Sequence, residues 1–132
     1  MQPIRVLTIT KNEDFSDILT DRLRSWGFDA TAADNSHEAL ETLLVRPPDV
    51  VVLNLRADHD DDLETLRLLK SRNPDIAIIL LTCKGAMASG IRGLELGAFD
   101  SLPQPVELGE LIEKIHLAHQ RLVTADDRSA AT

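Results

Sequence analysis

The densest group of reactive side chains in this sequence is an acidic run of four aspartates, Asp58, Asp60, Asp61 and Asp62. Carboxylates grouped in this way could bind a divalent cation or accept a phosphoryl group. The run could instead form a solvated loop whose last aspartates cap the next helix, because helix N-termini favour acidic side chains. No second set of ligands accompanies the run, and exposed charges are screened by salt. We therefore favour the loop and expect no metal site in it.

The single cysteine and two spaced histidines could also carry chemistry. Cys83 is followed by Lys84, and a neighbouring cation favours the reactive thiolate form. A small apolar residue fits that position as well, so we favour a packing role. His116 and His119 are spaced i,i+3 on a predicted helix, but two histidines without a carboxylate or cysteine partner are a weak metal signal. We expect neither a metal nor a cofactor.

Length and composition indicate one domain. The chain has 132 residues, of which 43% are hydrophobic and 27% are charged, which is ordinary for a globular protein. We predict that residues 1–123 form this domain and that residues 124–132 form a disordered polar tail. Because the chain has a single cysteine, it can form no internal disulfide.

Charge and hydropathy argue against two classes of partner. The formal net charge is −8, and no cluster of Lys and Arg stands in the sequence, so we expect no binding to nucleic acid. The longest apolar run, residues 76–81, is too short to cross a bilayer. The N-terminus also lacks the basic start and apolar segment of a signal peptide. We expect a cytoplasmic protein that binds no membrane.

Short apolar segments alternate along the chain with amphipathic patterns of helical period. These patterns predict helices between the strands, the fourth over residues 86–96 and the last over about 106–122. The predicted β-strands lie at residues 4–10, 28–33, 50–53, 76–81 and 101–102.

Polar residues and glycines mark the helix ends. Asn12 or Asp14 is expected to cap the first helix, and Ser36 the second, because their side-chain oxygens can accept from free backbone N–H groups. Gly27 and Gly97 are expected to end the first and fourth helices, since glycine readily adopts the left-handed conformation.

Five β–α units imply an α/β fold, a doubly wound parallel sheet with the flavodoxin-like strand order 2-1-3-4-5. The apolar run at residues 50–53 should form the central strand, buried on both faces. In such folds the functional crevice lies at the carboxyl ends of the strands, where the strand order reverses. Here those ends carry Thr10, Lys11 and Asn54.

Four segments of the sequence resemble the response-regulator receiver domain, the CheY-like family. They are RVLTITKNEDF at residues 5–15, PDVVVLNL at 48–55, ILLTC at 79–83 and GAFDSLPQP at 97–105. The resemblance covers residues 4–122 and implies the same flavodoxin-like fold, with a role in two-component signal transduction.

The resemblance also identifies the positions of the phosphorylation site. In this family an acidic pair after the first strand binds Mg²⁺, and an aspartate ending the third strand accepts the phosphoryl group. A Ser or Thr ends the fourth strand, and a lysine precedes a proline after the fifth. In this sequence the corresponding residues are Thr10 and Lys11, Asn54, Thr82, and Gln104. Only Thr82 keeps the family's chemistry, and Ser101 replaces an aromatic residue that reports the switch.

These substitutions predict a degenerate pseudo-receiver that lacks the phosphoacceptor aspartate and is not an enzyme. An amide is a poor nucleophile and offers no charge to Mg²⁺, so Asn54 should neither accept phosphate nor hold a metal. We further hypothesise that the Lys11 ammonium occupies the metal position and donates to the Asn54 side-chain oxygen. The alternative is that Lys11 points into solvent, as lysines usually do.

A receiver without phosphorylation would act by binding another protein. We expect a stand-alone domain whose partner is a histidine kinase, a response regulator or an output protein, or a second copy in a homodimer. The resemblance implies docking through the fourth helix, fifth strand and fifth helix, where exposed apolar residues would mark the interface. The candidate interface residues are Met87, Ile91, Leu94, Ser101 and Leu117.

Two alternatives stay open. A flavodoxin-like fold can bind a small molecule or a nucleotide in the same crevice, although no glycine-rich phosphate loop follows the first strand. A receiver could also keep its switch if a displaced acidic residue within 58–62 accepted the phosphoryl group.

Overall fold

Five strands and five helices alternate along the part of the chain that the structure describes. This structure is a computed structural model, and it describes residues 2–56 and 60–131. The elements in chain order are β1 (Arg5–Ile9), α1 (Glu13–Ser25), β2 (Asp29–Ala33), α2 (Ser36–Val45), β3 (Val50–Leu55), α3 (Asp60–Arg72), β4 (Ala77–Thr82), α4 (Met87–Glu95), β5 (Asp100–Pro103) and α5 (Leu108–Ala131).

The strands form one sheet in the order β2-β1-β3-β4-β5, and all neighbours are parallel. This confirms the predicted flavodoxin-like fold and strand order. Every residue of β3 and of β4 is buried, as expected for strands covered on both faces. The order reverses between β1 and β3, so the crevice of a doubly wound sheet lies at the carboxyl ends of those two strands.

Each face of the sheet packs against its own layer of helices. Val50 and Val52 point to one side, where they form a core with residues of α1 and α5 such as Leu23. Val51 and Leu53 point to the other side, where they pack with residues of α2 and α3 such as Leu66. Because side chains alternate along a strand, one apolar run contributes to both cores.

The predicted end residues of α1 and α4 agree with the structure, whereas the predicted cap of α2 does not. Asn12 caps α1 by accepting from the Phe15 N–H at 3.1 Å. The cap of α2 is Asn35, which accepts from the Glu38 N–H at 2.9 Å, so the prediction of Ser36 is wrong by one residue. Asn35 competes well for this role because asparagine is among the best N-caps. Gly27 and Gly97 follow α1 and α4 with φ values of +90° and +107°, as predicted.

The helix α4 lies close to the sheet because two of its residues are glycines. A Cβ atom on Gly90 would lie 2.7 Å from Ser101 Oγ and 2.8 Å from Thr82 Cγ2, and one on Gly93 would overlap Leu80. Both glycines are buried. Their lack of side chains therefore sets the distance between α4 and strands β4 and β5.

The last helix is longer than predicted. It begins at Leu108 and its backbone stays helical to Ala131, whereas the sequence predicts a disordered tail over residues 124–132. No glycine or proline stands between Leu122 and Ala131, so nothing in this segment forces the helix to end. Among the described helices, α5 included, none combines the length and hydrophobicity needed to cross a bilayer.

Candidate functional site

The crevice at the reversal point brings together residues from β1 and β3. In the paired strands Ile9 lies opposite Leu53, which places the following residues, Thr10 and Asn54, side by side at the carboxyl edge. Both are buried, with relative exposures of 4% and 9%. The fold thus assembles two of the predicted site residues in a desolvated position, where their polar atoms need partners.

A chain of hydrogen bonds satisfies these two side chains. Gln104 Nε2 donates to Asn54 Oδ1 over 2.6 Å, and Asn54 Nδ2 donates to Thr10 Oγ1 over 3.3 Å. The backbone N–H of Asn12 also donates to Thr10 Oγ1, over 3.2 Å. We call Thr10, Asn54 and Gln104 the amide chain. It contains no ionisable group, so it carries no charge for a metal or a phosphoryl group.

Gln104 is held at this position by the end of β4. Its backbone N–H donates to the Thr82 carbonyl over 2.9 Å, so the side chain begins beside the crevice. The Thr82 hydroxyl itself donates to the Leu102 carbonyl in β5, at 3.4 Å. The hydroxyl that keeps the family's chemistry is therefore engaged with the neighbouring strand and not with Asn54.

Cys83 also contacts the amide chain, which the sequence did not indicate. Its Sγ lies 3.5 Å from Asn54 Oδ1 and 3.8 Å from Gln104 Oε1. Its backbone N–H donates to the Leu55 carbonyl over 2.9 Å, which fixes the residue at the rim of the crevice. The thiol therefore supplies a weak second donor to Asn54.

Lys11 does not take the place that we hypothesised for it. The residue is exposed, and although it lines the mouth of the crevice it forms no hydrogen bond to Asn54 among the described residues. Gln104 supplies the close donor to the Asn54 oxygen instead. The hypothesis of a Lys11 ammonium bound to Asn54 is therefore wrong, and the alternative of a solvent-facing lysine fits the structure.

One aspartate of the acidic run, Asp62, is bound to an arginine of the same segment. Asp58 and His59 lie outside the described residues, and Asp61 is exposed in the first turn of α3. Asp62 is 8% exposed and accepts from the Arg56 backbone N–H at 2.9 Å, from Nε at 3.3 Å and from Nη2 at 3.2 Å. A carboxylate so bound to a guanidinium is already neutralised. In the described ranges, no group of three or more His, Cys, Asp or Glu side chains could hold a metal.

An ion pair fixes α5 against the beginning of β5. Lys114 Nζ lies 2.9 Å from Asp100 Oδ2, and the Asp100 Oδ1 atom accepts from the Ser101 backbone N–H at 2.7 Å. The hydrogen bond to Asp100, with the attraction of its charge, raises the pKa of Lys114 above the usual lysine value. The pair therefore links the helix and strand that carry the candidate interface.

The candidate interface residues on the helices are exposed apolar side chains. Met87, Ile91 and Leu94 are 74%, 56% and 42% exposed along one side of α4, and Leu117 on α5 is 42% exposed. Ser101 is half-buried and faces Gly90. We call Met87, Ile91 and Leu94 the α4 face. Their spacing of four and three residues places them on adjacent turns of one helix side.

Other exposed apolar residues were missed or misjudged from the sequence. Trp26 follows α1 and is 64% exposed, so its indole ring lies outside the core. Leu44 and Val45, at the end of α2, are 78% and 85% exposed. The helical period alone does not separate them from core positions, because the neighbouring Leu40 and Leu43 of the same helix do pack against the core.

The sequence matches the response regulator receiver domain family over residues 6–116. It is 33% identical over 125 residues to response regulator MprA of Mycolicibacterium vanbaalenii, covering 95% of this chain and 54% of that protein. It is 30% identical over 130 residues to transcriptional regulatory protein ZraR of Salmonella typhimurium, covering 97% of this chain and 30% of that protein. The chain thus spans about half or less of the length of these relatives.

Solved structures show the same fold. A response regulator receiver domain protein from Clostridium thermocellum superimposes with a TM-score of 0.82 at 26% identity, covering 89% of this chain and 95% of that one. NtrX from Brucella abortus in complex with ADP gives a TM-score of 0.91 at 20% identity, covering 98% of this chain and 30% of that one, a likeness of fold alone. With the family match over residues 6–116, these findings establish that the chain belongs to the response regulator receiver domains of two-component signalling.

Proposed function

We propose that this receiver domain accepts no phosphoryl group at its crevice and signals by binding a protein partner. The observation that carries the proposal is the amide chain. Asn54 stands at the end of β3 and is hydrogen-bonded on both sides, to Gln104 at 2.6 Å and to Thr10 at 3.3 Å. The domain is thus a pseudo-receiver and not an enzyme.

The chemistry of the amide chain opposes phosphorylation at two steps. Phosphoryl transfer needs a carboxylate that attacks phosphorus, and the Asn54 amide oxygen is a far poorer nucleophile. It also needs Mg²⁺, a hard cation that favours charged oxygen ligands, and neither Thr10 nor Asn54 has a carboxylate. Lys11 adds a positive charge at the mouth of the crevice, which further disfavours a cation there.

A displaced acceptor in the acidic run has little support from the described residues. Asp62 is buried and bound through both oxygens to Arg56. Attack on a phosphoryl group would require that pair to break and would leave the Arg56 guanidinium without its anion. Asp61 is exposed on the first turn of α3, and among the described residues it belongs to no group of three or more side chains that could hold a metal.

Nucleotide binding in the crevice is disfavoured by charge. The walls of the crevice carry four carboxylates, from Asp34, Asp61, Asp62 and Glu64, against the two cations of Lys11 and Arg56. One of these cations is already paired with Asp62. A phosphate group entering the crevice would therefore meet a net negative wall, and the residues after β1 form no glycine-rich loop to bind it.

The α4 face supports a docking role. Three large apolar side chains remain exposed side by side on α4, with Leu117 exposed on α5. Contiguous apolar surface of this kind marks protein interaction sites. The partner that fits a receiver-type pathway is a histidine kinase, a response regulator or an output protein, with a homodimer as a further arrangement through the same face.

Intact-mass spectrometry after incubation with Mg²⁺ and acetyl phosphate tests the proposal. The wild-type domain should gain no phosphoryl group. Asn54→Asp alone should also stay unmodified, because Thr10 and Lys11 still provide no metal site and Gln104 provides no cation for the phosphoryl oxygens. The matched positive control combines Asn54→Asp with Thr10→Asp, Lys11→Asp and Gln104→Lys. A phosphoryl group on the wild-type chain would overturn the proposal, and its mapped position would identify the displaced acceptor.

A further inference from the structure

A second cavity lies at the edge of the sheet opposite the crevice, beside the amino-terminal ends of β4 and β5. Its volume is about 260 Å³. The cavity is lined by Lys70 near the end of α3, by Asp75 and Ile76 in the loop before β4, by Phe99 before β5, and by Arg121 on α5. No step of the proposed signalling function uses these residues.

The Lys70 ammonium is fixed at the wall of this cavity. Its Nζ donates to the Pro74 carbonyl over 3.1 Å and to the Ile76 carbonyl over 2.9 Å. A lysine ammonium has three protons, and the third finds no acceptor among the described residues. The two carbonyl bonds therefore hold the charge in place and leave one donor for a ligand.

The Arg121 guanidinium supplies a second cation to the lining of the cavity. Its central carbon lies 5.6 Å from the centroid of the Phe99 ring, a cation–π distance that orients the group. Neither Arg121 nor Lys70 forms an ion pair with a carboxylate of the described residues. Two cations thus face one cavity, and Asp75, the described carboxylate that lines it, forms an ion pair with neither of them.

The pKa of Lys70 reflects its burial and its position near Arg121. Burial lowers the pKa of Lys70 most, and the positive charge of Arg121 lowers it further, while the Asp75 carboxylate acts in the opposite direction. The folded protein therefore holds a partly desolvated charge beside a like charge, in a chain whose net charge is −8. An anion placed between the two cations would relieve both costs.

We propose that this cavity binds an oxyanion, the phosphate or carboxylate group of a small ligand, between Lys70 and Arg121. The planar guanidinium can donate two parallel N–H groups to such an anion, and the ammonium adds a third donor as a point charge. The exposed Asp75 carboxylate weakens the attraction. We therefore expect modest affinity and a preference for a doubly charged phosphate over a singly charged carboxylate.

NMR titration tests the proposal with two probes, inorganic phosphate and acetate, each at constant ionic strength with NaCl as the balancing salt. The signals to follow are the Lys70 Cε and Arg121 Nε resonances. Phosphate should shift both in a saturable way and raise the pKa of Lys70 towards the usual lysine value. Saturation by phosphate alone would identify a phosphate site, and saturation by both probes a general oxyanion site.

Substitutions separate specific binding from screening. Arg121→Gln, on an exposed position of α5, should weaken phosphate binding about 10- to 100-fold, because it removes charged hydrogen bonds. Lys70→Met should have a similar effect, and the matched control Arg92→Gln, exposed on α4 outside the cavity, should bind like wild type. Shifts that NaCl alone reproduces, or that Arg121→Gln leaves unchanged, would overturn the proposal.

Discussion

Replacing Gln104 with alanine would remove the close donor of the Asn54 side-chain oxygen. That hydrogen bond spans 2.6 Å, and Asn54 is only 9% exposed. A buried acceptor that loses its donor costs about 1–3 kcal/mol in unfolding free energy. The Cys83 thiol, 3.5 Å from the same oxygen, is a weak donor that compensates in part. We therefore expect Gln104→Ala to lower the unfolding free energy by about 1–2 kcal/mol.

A double-mutant cycle isolates this bond from the other effects of truncation. The unfolding free energies of Gln104→Ala, Asn54→Ala and the double variant are measured by urea denaturation followed by circular dichroism. We expect the loss in the double variant to be smaller than the sum of the single losses by about 1 kcal/mol. The matched control is Gln120→Ala, at an exposed position of α5, which should change the free energy by less than about 0.5 kcal/mol.

Additive losses in the two single variants would contradict a hydrogen bond between Gln104 and Asn54. If the two single losses summed to that of the double variant within about 0.3 kcal/mol, Gln104 and Asn54 would not interact in the folded protein. The thermal midpoint provides an independent check, because a loss of 1 kcal/mol lowers it by about 3 to 5 °C in a domain of this size. An unchanged midpoint for Gln104→Ala would contradict the predicted contact in the same way.

Three further predictions concern Mg²⁺ binding in the crevice, the α4 face, and the ion pair between Lys114 and Asp100. Millimolar Mg²⁺ should not raise the melting temperature beyond the effect of NaCl at equal ionic strength. A metal bound at tenfold its Kd would add about 1.4 kcal/mol to the unfolding free energy, so a saturable, Mg²⁺-specific rise would reveal a divalent site. Ile91→Asp should abolish retention of a protein partner in pull-downs, while Ile18→Asp, at a similarly exposed position on α1, should not, and equal retention by both would exclude the α4 face. Since the pKa of Lys114 is raised above 10.5, its pair with Asp100 stabilises the fold below that pH. The stability difference between wild type and Lys114→Met should therefore shrink as pH rises above 10.5, and a difference independent of pH would contradict the pair's role.

The strand order could be predicted because strands and helices alternate along the chain, with the clearest strand signals at the centre of the sheet. The runs that became β3 and β4 are apolar at nearly every position, which only a strand buried on both faces requires. Helix ends were predictable where a glycine or a capping residue stood alone, as at Gly27. Helix ends could not be predicted where two capping residues are adjacent, as Asn35 and Ser36 are, because both side chains can accept hydrogen bonds from the N–H groups of the first turn.

The positions of the site residues could be predicted, but their contacts could not. Strand ends located Thr10 and Asn54 at one edge of the sheet, since parallel strands share a direction. The partner of Asn54 depends on side-chain conformation, and the sequence pattern could not decide between Lys11, next to Thr10, and Gln104, 50 residues away. The pair of Arg56 with Asp62 was equally hidden, because the chain between them includes residues whose path no periodic pattern specifies.

A cluster of carboxylates at the strand ends and the uncharged amide chain found here differ in what stabilises them. Carboxylates held together repel one another, and each desolvated charge costs free energy that a bound cation offsets. The amide chain has no such charge, and its members satisfy one another's polar atoms through bonds of 2.6 Å and 3.3 Å. Within the described ranges Lys11 forms no ion pair that would hold it in the crevice, and hydration favours its exposed position. We therefore expect that folding of this domain does not depend on an ion in the crevice, and that a protein docking on the α4 face would meet the same surface at any concentration of Mg²⁺.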